Sequence, residues 1–159
     1  MSILAWGNEI ILTSSQKGSQ SFSYNGPDTP LQRSLQLCQA VVWQDVTGAV
    51  GVHKNQGKCG EEMAVHLYYK LNLEKPLKDL SPQAVVGTWV ADDIAHLSEP
   101  IRTDPCGIPE KPAPKDIWGC NLFVFDQNLR VLDKSIKEEP YDFAAVGGVQ
   151  TINQIQLCG

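Results

Sequence analysis

The chain has no excess of positive charge: 13 Lys and Arg against 18 Asp and Glu leave a net charge of −5. Proteins that grip duplex nucleic acid mainly by neutralising phosphates carry a basic surface, and the acidic balance here weighs against tight duplex binding. A small ligand, or a single base drawn out of its stack into a local pocket, needs no such surface. Nor is there any run of about 18 apolar residues, the length that a membrane-spanning helix requires. Residues 1–12 lack both the basic segment and the long apolar stretch of a secretory signal. Histidine is scarce, with three in the chain, and the five cysteines are an odd number. Such a count argues against a fully paired disulfide framework.

What is present suits one soluble domain spanning residues 1–159, with 42% hydrophobic and 19% charged residues. That length buries one real core and is too short for two sizeable ones. Residues 1–30 form the less regular part, with one strand over 3–12 and then a Ser-, Gly- and Asn-rich loop. Asp28 or Thr29 caps a helix that has Pro30 at its first position and runs through Leu31, Leu35 and Cys38. Residues 41–43 and 49–53 read as a hairpin around Asp45-Val46-Thr47-Gly48. From Cys59 onward Met63, Ala64, Leu67, Tyr68 and Leu71 recur at helical spacing, with Glu62 and Lys70 expected on the surface. The strongest strand pattern covers 84–91. A loop from 92 to 115 carries four prolines between Pro105 and Pro114, a strand pair follows over 121–132, and 146–157 closes the chain as a strand or short helix. This order predicts an α/β layer architecture with a mixed sheet.

Three cysteines and a glutamate carry the chemical signal. Cys59-Gly60-Glu61 opens a helix, Pro105-Cys106-Gly107 lies beyond the best strand, and Cys120 ends Trp118-Gly119-Cys120. Three thiolates suit Zn²⁺ and leave its fourth position for water, as a catalytic site requires. Cys59 in a first helical turn gains from the exposed N–H groups and the helix dipole, which favour thiolate. Glu61, two residues on, addresses the same pocket and is placed to carry protons. Either element alone has a plain structural explanation. Free cysteines pack as small hydrophobes, and a helix start attracts glutamate without catalysis.

Together these pieces resemble the cytidine deaminase-like superfamily. Its members have a His- or Cys-x-Glu at the start of one helix and a Pro-Cys-x-x-Cys at the start of the next. The resemblance covers roughly residues 31–132 and is closest to the compact, divergent toxin-type deaminases of bacterial secretion systems. It implies a three-layer α/β/α sandwich, with Cys59, Cys106 and Cys120 on zinc and Glu61 as general acid/base. The implied activity is hydrolytic deamination of a nucleobase, cytosine preferred over adenine, in a free nucleoside or in single-stranded or duplex DNA or RNA. His53, Asn55 and Trp89 become substrate-binding candidates: the first two precede the helix, and Trp89 ends the strand where a ring stacks on a base. A toxin of this kind is a secreted effector acting in the cytoplasm of a target cell, or a cytoplasmic protein, and is met by an immunity protein. The departure lies in the thirteen residues, 107–119, that separate Cys106 from Cys120 where the common pattern has two. Some divergent toxin-type members carry long inserts there. The third ligand is therefore Cys120, or in its place Cys38, Cys158 or His96.

Two other readings stand beside this one. The segment Gln56-Gly57-Lys58-Cys59-Gly60 is similar to one in papain-like cysteine proteases, although Glu62 occupies the position of their nucleophile. A thiol protease or amidase would use Cys59 itself, with His96 as base near Asp92 or Asp93, ahead of His66 or His53. The third reading is a non-enzymatic interaction module, to which the acidic balance points.

Overall fold

The computed structural model describes residues 1–19, 21–25, 28–45, 53–91, 99–107, 118–140, 142 and 144–145. Five strands form one mixed sheet: β1 (Ser2–Trp6), β2 (Glu9–Thr13), β3 (Val85–Val90), β4 (Ile101–Thr103) and β5 (Arg130–Val131). β1 lies between β2 and β3 and is antiparallel to both. The other edge of β3 is shared, with β5 parallel to its first half and β4 antiparallel to its second. The helices are α1 (Phe22–Asn25), α2 (Pro30–Asp45), α3 (Gly60–Leu71) and α4 (Cys120–Asp126).

Side chains alternate across a strand, so the registers divide the sheet into two faces. Ser2, Leu4, Ile11, Val86 and Thr88 share one face, and α3 packs on it through Val65, Leu67 and Tyr68. The Trp6 ring meets that of Tyr68 edge-on at 5.0 Å. α2 and α4 pack on α3 and on each other, adding Leu31, Leu35, Phe123 and Val124 to the same core. On β2 the out-of-phase residues Ile10 and Leu12 are exposed. The α/β class and the mixed sheet expected from the sequence are both present.

Several expected elements are different in the structure. The stretch 3–12 is not one strand but two, paired as the β1–β2 hairpin. The hairpin expected over 41–53 is overturned in its first half, because α2 continues through Val41, Val42 and Trp43 to Asp45. Residues 49–52 lie outside the described residues, as do 92–98, 108–117 and 146–159. The strand pair expected over 121–132 is mostly helix: α4 occupies its first half and β5 only Arg130–Val131. Leu122, Phe123, Val124 and Phe125 have strand propensity, but burial of Phe123 and Val124 against α2 and α3 decides the local structure. The α2 cap was legible, since Thr29 Oγ1 accepts the Gln32 N–H at 3.1 Å.

Candidate metal centre

The site is assembled where two helices begin. Cys59 is the N-cap residue of α3, and its side chain makes no cap hydrogen bond. The Asn55 amide instead donates to Cys59 Sγ at 3.1 Å. Cys120 is the first residue of α4, and its backbone N–H donates to Cys106 Sγ at 3.3 Å. Cys106 follows β4, and its carbonyl accepts the Asn121 N–H at 2.9 Å. The two helix starts are joined by a parallel bridge between His53 and Trp118, closed by a 2.7 Å bond from the Lys54 N–H to the Trp118 carbonyl. The rings of His53 and Trp118 meet edge-on.

The three sulfurs converge. Cys106 Sγ stands 3.6 Å from Cys59 Sγ and 3.3 Å from Cys120 Sγ, and all three thiols are free. Thiolates on a tetrahedral zinc at ~2.3 Å lie ~3.8 Å from one another, so the observed triangle is close to a coordination shell. One donor atom from each of His53, Cys59, Cys106 and Cys120 falls within 4.8 Å of the others, a possible metal site. Cys59, Glu61, Glu62 and Cys120 meet the same criterion, so both carboxylates border the sulfurs.

The electrostatics call for a cation. Close contacts with the Cys120 and Cys59 thiols, and a lesser one with His53, outweigh burial and pull the Cys106 thiol far below the ordinary range. The contact with Cys106 pushes Cys59 up, and burial above all raises Cys120. Cys106 is thus the thiol most favoured as thiolate, and two buried carboxyl groups lie beside the trio. Burial likewise raises Glu61, against the opposing bond from Thr88, whose Oγ1 donates to Glu61 Oε1 at 2.9 Å. A buried thiolate is stable only when paired, hydrogen-bonded or metal-bound. The donor set fits a thiophilic divalent ion.

His53 and Glu62 form a fully buried pair, with Nε2 2.9 Å from Glu62 Oε1. Burial opposes charge on this ring, whereas Cys106 and Glu62 favour it strongly enough to lift its pKa to about 9. The backbone argues otherwise. His53 Nδ1 accepts the N–H groups of Asn55 and Gly57, each at 3.1 Å, and a proton there would face both donors. We therefore read the ring as neutral, protonated on Nε2.

The sequence-derived candidates are thus distributed unevenly. Cys59, Cys106, Cys120 and Glu61 come together. Asn55 lies beside them, with its amide turned to sulfur. His53 is completely enclosed and faces the sulfurs and Glu62. Trp89 is on the opposite face of β3 from Thr88, beneath the Arg102 guanidinium at 5.6 Å, and does not border the sulfurs. Cys38 sits in the core on α2, while His96, Cys158, Asp92 and Asp93 lie outside the described residues. Glu62, expected on the surface, is wholly buried at the site. Glu62 and Thr88 are the residues that sequence reasoning missed. Two adjacent acids at a helix start look like a response to the helix dipole, and nothing local distinguishes the buried one.

No family model, curated protein or solved structure matches this chain.

Proposed function

We propose that this protein is a zinc-dependent hydrolase that deaminates a nucleobase, cytosine in preference to adenine. The observation that carries the reading is the convergence of Cys59, Cys106 and Cys120 at two helix starts with the Glu61 carboxyl beside them. The three-layer deaminase-like architecture belongs to this proposal. It is supported by a central strand flanked by two sulfur-bearing helix starts in the expected chain order.

Cys59, Cys106 and Cys120 would hold the ion, which supplies Lewis-acid activation of water near neutral pH. The net reaction replaces an exocyclic amine by oxygen: base–NH2 and water give base=O and ammonia. Glu61 takes the proton from water, delivers it to the ring nitrogen and then assists the departing amine. Its enclosure suits that work, because a carboxyl raised by burial both accepts and returns a proton readily. Thr88 fixes the carboxyl through Oε1, and Ser2 Oγ lies 2.9 Å from Thr88 Oγ1 behind it. Substrate would be a free nucleoside or a base in single-stranded or unstacked nucleic acid, since a net charge of −5 does not favour broad phosphate binding. Action as a toxin in the cytoplasm of a target cell, opposed by an immunity protein, rests on the resemblance alone. Among the described residues no helix is long and apolar enough to cross a membrane.

The test combines metal analysis with ammonia release from cytidine and from cytosine-containing single strands. The wild type should bind about one zinc per chain, lost in Cys106→Ser and in Cys120→Ser. Glu61→Gln should keep the zinc and lose about 10²- to 10⁴-fold in rate. A wild type purified and reconstituted with care that binds no zinc would sink the reading. It would return Cys59 to the role of nucleophile, or the chain to that of an interaction module.

A further inference from the structure

Four donor residues close enough to surround one ion pose a question that proximity does not answer. With His53 as a ligand, the centre is a closed Cys3His site of the structural kind, whereas without it one position stays open for chemistry. Building on the metal reading above, we propose that His53 stands outside the coordination shell. Paired with Glu62, it is a positioning residue that holds the sulfurs and keeps the fourth position open.

Ligation requires a ring nitrogen with a lone pair to give. Residues 53–57 make a tight turn in which Gln56 and Gly57 both adopt left-handed backbone angles, φ 57° and 65°. The turn aims two backbone N–H groups, from Asn55 and Gly57, at His53 Nδ1, each 3.1 Å away. A nitrogen that accepts two such bonds carries no hydrogen, so the ring proton is on Nε2. Nε2 in turn lies 2.9 Å from Glu62 Oε1, the length of an N–H donating to a carboxylate.

Ligation through Nε2 would require moving that proton to Nδ1, against both backbone donors, and would strip Glu62 of its partner. Two backbone N–H groups would then face a ring proton, and the fully buried Glu62 would lose its donor. Metal-binding histidines show the reverse arrangement, with the second nitrogen donating to a carbonyl or carboxylate. Here the second nitrogen accepts.

The same geometry gives the pair its work. From Nε2, Cys120 Sγ is 3.4 Å away and Cys106 Sγ 3.8 Å, so the N–H leans toward both sulfurs while bonding Glu62. Glu62 Oε1 and Oε2 lie 3.3 and 3.4 Å from Cys120 Sγ and accept from that thiol while it is protonated. When the thiols ionise to take a cation, the Nε2–H remains as a donor that offsets negative charge on the sulfurs. The carboxylate holds the ring in that orientation.

Long-range proton–nitrogen correlation spectra of the zinc-loaded protein with ¹⁵N-labelled histidine read the tautomer directly. Cobalt-substituted protein provides an independent count of ligands by visible absorption. The expected result is an Nε2–H tautomer for His53, with cobalt bands of three thiolates that persist in His53→Gln, whose amide can still donate to Glu62. An Nδ1–H tautomer, or cobalt bands that change coordination class in His53→Gln while the variant still binds metal, would overturn the proposal and leave the zinc centre standing. If the wild type takes up neither zinc nor cobalt, the metal reading fails, and the proposal fails with it.

Discussion

Replacing Gly60 by alanine should damage the protein far more than one methyl group in a helix would suggest. Gly60 is the first residue of α3 and is buried against β1. A Cβ there would lie 2.8 Å from Ser2 Cβ, 3.2 Å from Ser2 N and closer still to Ser2 Oγ. Ser2 has little room to retreat, because β1 is paired on both sides, at Thr13 and at Thr88. The helix is held too, since Thr13 Oγ1 donates to the Gly60 carbonyl at 2.8 Å. Overpacking of this kind costs about 1–3 kcal/mol. Loss of the Ser2–Thr88 hydrogen bond adds about 1 kcal/mol. The helical preference for alanine over glycine returns at most about 1 kcal/mol. The net expectation is a loss of about 1–3 kcal/mol, read by urea unfolding at fixed zinc concentration. On the proposed deaminase reading, ammonia release should fall as well with zinc retained, because Ser2 backs the Thr88 that fixes Glu61. Ser2→Gly removes both of the closest atoms, so the double variant should be more stable than the sum of the single changes by at least about 1 kcal/mol. An alanine variant within about 0.5 kcal/mol of wild type, or strict additivity in the double variant, would refute the packing argument.

Other consequences are open to simpler tests. Burial, above all, pushes the Cys38 thiol up to about 12, so in the native protein it should react with alkylating reagents orders of magnitude more slowly than a free thiol. Rapid modification of Cys38 before unfolding would mean that α2 does not pack as described. His66 on α3 is held below the usual histidine range by burial and by Lys70. The folded state then binds fewer protons than the unfolded chain once pH falls below the unfolded value of about 6.5. Stability should therefore decline with acid through that window, down to the lowered folded value. In His66→Gln this part of the slope should disappear, and an unchanged slope would assign the decline to other groups.

The parts of the molecule that local pattern determines were legible. The spacing of Met63, Ala64, Leu67 and Tyr68 marks α3, and the β-branched run around Trp89 marks β3. Three of the five cysteines that the reading singled out do meet. What escaped was set by partners far along the chain. The run 122–125 reads as a strand until Phe123 and Val124 have a core to fill. Val41 to Trp43 likewise favours a strand by propensity but continues α2. Residues 3–12 contain a Gly7-Asn8 turn that splits one apolar stretch into two strands. Glu62 is buried because a histidine nine residues earlier turns back toward it, and no periodicity within α3 encodes that return.

The separation of Cys106 from Cys120 has a consequence for how such a centre can change over time. Thirteen residues intervene, yet the sulfurs stand 3.3 Å apart, with the two ends of the interval clamped by Cys106–Asn121 and Lys54–Trp118 backbone bonds. Lengthening a closed segment from two residues to thirteen adds only about 1.7 kcal/mol of closure entropy. Closure entropy therefore lets the interval serve as a port for changes in length, whereas Gly107 and Gly119 at its ends leave no room for a side chain. A pattern defined by residue counts is blind to such a port, whereas one defined by distance is not. New recognition can be written into that stretch without rebuilding the chemistry it adjoins.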